Sequence, residues 1–402
     1  MYSSPLDGDV CFFPDIDFAV APVPQLYELV ATLRESGQRV APIVYGQRRS
    51  WLILGFSDVS SAFLHEKSFP SADFHERISV PIFGRVLNAM RGAEHLSYRR
   101  AIEPLFSAAA VETFRELVLV PLAHELFDEL RGTDSCDLRA HYAQRYTFRV
   151  ISTLIGVPVQ DERTVMSLLS SINGVFFGRT EEAAQASAKL TKYLMPLIEE
   201  RRRHPCEDLL SALTVLTVDG HPLSNEEILI FVRFLYPVGA DSTSAQIVNL
   251  LYHVAADAEL RNLLIQRPAI RPKAIAESLR HSGAIAFVPR YSAGGGTLAG
   301  VEIPPNSPLL YGIGPAAHDP AVNPDPEEFR LHRENPRHLA FGLGLHVCLG
   351  RHLATAELQT SLDVILDRMA DLRLATPAQR MTGTLLRTLP SLSVEYELLS
   401  VN

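Results

Sequence analysis

Phe341-Gly342-Leu343-Gly344-Leu345-His346-Val347-Cys348-Leu349-Gly350 sets a lone cysteine at the end of a glycine-spaced loop. The next residues, Arg351-His352-Leu353-Ala354-Thr355-Ala356-Glu357-Leu358, read as the start of a helix. Cys348 therefore falls where a loop meets a helix N-terminus. Free backbone N–H groups and the positive end of the helix dipole favour an anion there, and so favour the thiolate. A thiolate is a strong donor to a soft or borderline metal. Gly342 and Gly344 let the backbone turn sharply and lie close to a flat group, and Phe341 offers an aromatic wall.

The rest of the chain bounds the answer. It has 402 residues, 47% of them hydrophobic, which is ample for a large core. No apolar run is long enough to span a membrane, and the first residues lack the basic and apolar regions of a signal peptide. The four cysteines, Cys11, Cys136, Cys206 and Cys348, are scattered with no C-x-x-C pair. That argues against a zinc site or disulfide framework and for a reducing cytoplasm. A net charge of −9 argues against a nucleic-acid partner.

Composition is even from end to end, with no repeat and no low-complexity linker. Helical periodicity covers about residues 23–36. Strand-like runs follow at 38–45 and 50–54, turning at Gly46-Gln47-Arg48. Residues 56–64 read as a helix and 69–90 as a long loop. From His95 to Met369 the chain is mainly helical, clearest over 112–130, 138–155 and 181–203. The last of these ends in Arg201-Arg202-Arg203, a solvated helix end. Ser224-Asn225-Glu226-Glu227 has capping-box spacing and opens a long apolar helix to about Ala256. A shorter helix spans 272–282, strands 284–310, proline-broken coil 315–336, and strands the region after Leu372. Gly312-Ile313-Gly314-Pro315-Ala316-Ala317 loosely matches a dinucleotide-binding pattern. Pro315 and His318-Asp319-Pro320 keep a helix from starting promptly, so that reading is rejected.

Three further groupings carry chemistry. Glu277 and Arg280 share one face of the short helix and can pair. Within the long helix, Pro237 removes the bond to the Arg233 carbonyl, Gly239 weakens the turn, and the Ser242 and Thr243 hydroxyls can bond back to the backbone. Together these predict a local opening beside Asp241, and an acid in an apolar helix is costly unless used. His95 and Arg99 share an early helix face.

The F-G-x-G-x-H-x-C-x-G stretch resembles the haem-ligand signature of the cytochrome P450 family, and the other groupings fall in that family's order. The resemblance implies a mainly α fold with a small β portion, formed by residues 1–402 as a single domain. Haem b would lie between the long central helix and the helix after Cys348. It makes Cys348 the iron ligand, with Phe341, Gly342 and Gly350 shaping its loop and His95, Arg99, Arg290 and His346 holding the propionates. Glu277, Arg280 and Arg333 resemble the family's structural Glu-Arg-Arg network.

Val238-Gly239-Ala240-Asp241-Ser242-Thr243 resembles the oxygen-activation motif. Asp241 is its acid and Ser242 its alcohol, next to Thr243. Val238 stands where the family has Ala or Gly, and Ser242 where it has Thr. The implied activity is insertion of one oxygen atom from O2 into an apolar small molecule, free or tethered to a carrier protein. Electrons would come from a ferredoxin and its NAD(P)H-dependent reductase, with Arg100, Arg337 and Arg351 as docking candidates. By motif position the pocket walls are Phe231, Phe234, Leu235, Val238, Ile285, Phe287 and Leu385, with Ile82 and Phe83 capping them. The rivals are a haem-thiolate desaturation, phenol coupling or peroxide-driven oxidation and, outside enzymes, a haem carrier or gas sensor.

Overall fold

The computed structural model describes residues 13, 15–19, 26–158, 161–377 and 380–399. Cys11 and residues 23–25 of the first expected helix lie outside them. The described chain is mostly helical with small sheets, and its contacts group into two compact units, each made of discontinuous segments.

One unit is drawn from Met1–Phe74, Lys273–Cys348 and Arg380–Pro390. Its four-stranded sheet runs in the order Val40–Tyr45, Arg48–Ile53, Pro308–Tyr311, Val288–Tyr291. The first pair is a hairpin in which Tyr45 faces Arg48, so the turn is two residues, not the three the sequence suggests. Gly46 (φ 62°) and Gln47 (φ 58°) take the left-handed conformation that matches strand twist. Pro308–Tyr311 lies parallel to the second strand and antiparallel to Val288–Tyr291. Trp51, Ile53, Phe63, Leu309 and Tyr311 form the core on this sheet.

Gly312 leads straight into a short helix, Ile313–Ala317. This overturns the expectation that Pro315 blocks a helix. In a first turn the missing proline N–H has no helical partner to lose. A Cβ on Gly312 would meet the Ile53 carbonyl oxygen at 2.7 Å, and one on Gly314 the Tyr27 hydroxyl at 2.8 Å. Both glycines serve close packing.

The other unit is drawn from His75–Pro272, Leu349–Gln379 and Ser391–Asn402. Its helices include Gly92–Ile102, Gln144–Ile155, Glu162–Asn173, Thr180–Arg203, Asn225–Ala256 and Arg351–Arg368. The long helix begins at a complete capping box, with Glu227 N–H donating to Ser224 Oγ and Ser224 N–H to the Glu227 carboxylate. Phe83, Phe148, Ile151, Leu190, Val232 and Tyr236 pack into this unit's core. Each such side chain contributes about 1.5–3 kcal/mol of transfer free energy.

Two expectations change. The 69–90 stretch is not a loop: it holds helices Ser71–Ile78 and Val80–Phe83 and a 3-10 turn Leu87–Ala89. Pro70 and Pro81 precede or open helical turns there, and Gly84 (φ 89°) closes one, so the breakers act as start and stop signals. Nor is the Arg201-Arg202-Arg203 end simply solvated. Arg201 binds the Asp208 carboxylate (2.6 Å) and the Gly156 carbonyl (3.1 Å). Arg202 binds the carbonyls of Thr214 and Leu223. No helix of the described residues is long and apolar enough to cross a membrane.

Candidate active site

In the sheet-bearing unit the cysteine loop is fixed by its own backbone. Gly342 (φ 70°) and Gly344 (φ 76°) adopt the left-handed region, where a side chain would be strained. A Cβ on Gly344 would also come within 3.2 Å of the Phe63 carbonyl oxygen. Cys348 N–H donates to the Phe341 carbonyl at 2.8 Å, and Gly342 N–H to that of Leu339 at 2.8 Å. Cys348 is thereby held exposed, just ahead of Gly350, the N-cap of the Arg351–Arg368 helix. Among the described residues no group of three or more His, Cys, Asp or Glu could hold a metal.

Arg290 comes from the Val288–Tyr291 strand and is 7% exposed. Its guanidinium lies 5.6 Å above the Tyr311 ring and 5.8 Å above the Phe63 ring, and Nη1 donates to the Pro289 carbonyl at 2.9 Å. Burial pulls its pKa down. Among the described residues no carboxylate pairs with it. A buried cation in that state suits an arriving anion, and a haem propionate is one. The cradle therefore fits the cofactor. His346 Nε2 lies 3.1 Å from Glu66 Oε1, which also accepts from Ser71 N–H at 2.8 Å. Burial raises the Glu66 carboxyl, but His346 and Ser71 outweigh it and hold the group below the usual range. No local pattern marks Glu66 in the sequence.

Glu277, Arg280 and Arg333 meet in this unit. Arg280 grips Glu277 with both arms, Nε to Oε2 at 2.8 Å and Nη2 to Oε1 at 2.7 Å. Arg333 Nε reaches the same carboxylate at 3.3 Å and Arg330 N–H at 2.9 Å. Arg280 also binds the carbonyls of Pro326 (2.7 Å) and Glu328 (2.9 Å), which fixes the coil ahead of the cysteine loop.

In the helical unit, the Asn225–Ala256 helix runs unbroken through Pro237, so the expected opening does not interrupt it. Ser242 Oγ bonds back to the Val238 carbonyl at 3.4 Å, and Thr243 is buried. Asp241 is half-buried, and that burial pushes its pKa up. Asn173, which donates to Oδ2 at 2.6 Å, and the more distant Arg139 pull it back in part. His95 and Arg99 are both buried on the Gly92–Ile102 helix, and Arg99 Nη2 pairs with Glu103 at 3.2 Å. Tyr98, between them, donates to Glu227 and so anchors that helix to the capping box.

The expected pocket residues divide. Val238 is 37% exposed, and Phe231, Phe234 and Leu235 are half-buried. Ile82 and Phe83 are core residues, with Phe83 edge-on to Phe234 at 5.2 Å and the Ile82 carbonyl bound by Ser187 Oγ at 2.7 Å. The helical turn at 80–83 turns them inward. In the other unit Phe287 is fully buried, edge-on to Phe18 at 5.9 Å. Leu385 is buried, and Ile285 bridges Leu386.

Comparison with known proteins follows the same line. The cytochrome P450 family profile matches residues 270–379. The chain is 34% identical over 364 residues to mycinamicin IV hydroxylase/epoxidase of Micromonospora griseorubida, covering 88% of this chain and 90% of that one. It is 31% identical over 342 residues to cytochrome P450 107B1 of Saccharopolyspora erythraea, covering 81% and 83%. The crystal structure of CYP108D1 from Novosphingobium aromaticivorans superposes with a TM-score of 0.83 at 27% identity, covering 93% and 94%.

Proposed function

This chain belongs to the cytochrome P450 family of haem b monooxygenases, and from that premise we propose that it hydroxylates or epoxidises an apolar small molecule of secondary metabolism. The observation that carries the reading is the thiol of Cys348, presented by a loop pinned between two left-handed glycines and its own N–H bond to Phe341.

Cys348 Sγ would hold the iron, Arg290, His346, His95 and Arg99 are the candidates for the propionates, and Phe341, Gly342 and Gly350 would shape the cysteine loop. A bound haem would supply the dioxygen chemistry, and thiolate ligation by Cys348 would favour O–O cleavage. The chain supplies position and protons. Asp241 takes protons from solvent; its raised pKa suits a group that must both hold and release one. The Ser242 hydroxyl, whose bond to the Val238 carbonyl is long at 3.4 Å, is available to pass the proton on. Thr243, next to it, is buried. Phe231, Phe234, Leu235 and Val238 line the apolar wall, and Phe83 backs Phe234.

The enzyme would work in the cytoplasm. Electrons come from an external ferredoxin and its reductase, with Arg100, Arg337 and Arg351 as basic contacts for an acidic partner.

An optical titration of the purified ferric protein with fatty acids, terpenes, steroids, aromatic metabolites and large lactones tests the reading. A low-to-high-spin shift of the Soret band with one class identifies the substrate type. A haem spectrum without any shift points to a carrier-tethered substrate. Failure to take up haem at all overturns the proposal.

A further inference from the structure

Asn173 ends the Glu162–Asn173 helix and is 9% exposed. Its Nδ2 donates to the Pro237 carbonyl at 3.0 Å and to Asp241 Oδ2 at 2.6 Å. The two acceptors are four residues apart, on one face of the long helix. Pro237 has no N–H, so the turn before it lacks a helical bond, and Gly239 loosens the turn after it. The helix should give way there, and Ser242 sits on that turn. The helix nevertheless continues without a break. One planar amide grips the backbone and the carboxylate together, so the acid cannot move independently of the weakened turn.

We propose that Asn173 is a positioning residue for the reaction: it fixes the Asp241 carboxyl through Oδ2 on the proline-weakened turn and leaves Oδ1 to take up and release the proton. The inference rests on the reading of Asp241 as the proton carrier. Asn173 itself transfers nothing. An amide N–H on the carboxylate favours the charged form, while burial favours the neutral one, and Arg139 is the charged group that acts on Asp241 through space. The amide thus offsets part of the cost of ionising a buried acid. A purely structural Asn173 would do no more than pack one helix end against another.

Asn173→Leu separates the two roles, because it keeps much of the volume and removes both donors. The haem-loaded protein is melted from about pH 4, near the ordinary Asp value, up to about pH 9 as wild type, N173L, D241N and the double variant. The Asp241 pKa is raised in the folded state, so its contribution to stability is present at low pH and falls as pH rises. Loss of the amide should steepen that fall, and the extra slope should vanish in the D241N background. With the substrate found by titration, the share of reducing equivalents recovered as product should drop roughly tenfold in N173L, as expected for one hydrogen bond to a charged group. The same pH slope as wild type, or an equal drop in both backgrounds, overturns the inference. If D241N changes neither pH profile nor product share, it is the reading of Asp241 that fails. Should N173L not fold, Asn173→Asp keeps the shape and sets two carboxyls to share one proton; an unshifted pH profile in that variant overturns the inference equally.

Discussion

Glu277 and Asp241 are both acids taken out of water, and their surroundings push them in opposite directions. Glu277 receives both arms of Arg280, the Nε of Arg333 and the N–H of Arg330. Burial raises its pKa, but these four donors outweigh burial and keep it below the usual carboxylate range. Asp241 receives one neutral amide, and burial prevails. The difference separates a lock from a carrier. A carboxylate held by two guanidinium groups and a backbone N–H holds chain segments in place and stays charged. One with a single neutral donor has its pKa raised by burial, which makes it easier to protonate than an ordinary carboxylate.

Breaking the lock should have the largest effect. Arg280→Ala leaves Glu277 charged and buried, at 1% side-chain exposure, and should cost about 3–5 kcal/mol. A denaturant titration measures it; a loss below about 1 kcal/mol would mean that the coil holds without the pair. Asp241→Asn should act on turnover instead, lowering product formation by about a hundredfold or more while leaving the protein folded. A large fall in melting temperature with that variant would place Asp241 with Glu277 as a structural group.

The pH dependence sharpens the contrast. The depressed Glu277 pKa means that its stabilisation is complete above the ordinary carboxylate value and disappears as pH falls through the folded value. The raised Asp241 pKa has the reverse sign: its stabilisation is present at low pH and disappears as pH rises. Glu277→Gln should therefore flatten the limb below the ordinary carboxylate pKa in a stability–pH curve and Asp241→Asn the limb above it. Identical effects on one limb would erase the distinction. The smallest effect belongs to Val238→Ala on the exposed face of the same helix. It should change stability by less than about 0.5 kcal/mol, yet admit bulkier ligands in a spin-shift titration. An unchanged ligand range would remove Val238 from the substrate wall.

Local groupings were legible in the sequence because short-range geometry fixes them. The capping box at Ser224–Glu227, the Glu277–Arg280 pairing one helical turn apart and the glycine-spaced loop to Cys348 all lie within a few residues. Groups such as Glu66 with His346, Asn173 with Asp241 and Tyr98 with Glu227 are separated by long stretches of chain and follow no spacing rule. Gly and Pro in residues 69–90 suggested a loop for a related reason: a breaker at the edge of a helical turn and one inside a loop look alike until the turn's hydrogen bonds are seen.

The sequence by itself determined the chemistry that Cys348 can offer, the helical character of the chain and the order of its motifs, since thiolate donation, periodicity and capping depend on residue type and near neighbours. Only the tertiary structure decided which acid is locked and which is poised, that Ile82, Phe83 and Phe287 are core residues, and that Asn173 braces the turn carrying Asp241. Burial and long-range hydrogen bonds set the balance between desolvation and pairing, and neither exists until distant segments meet.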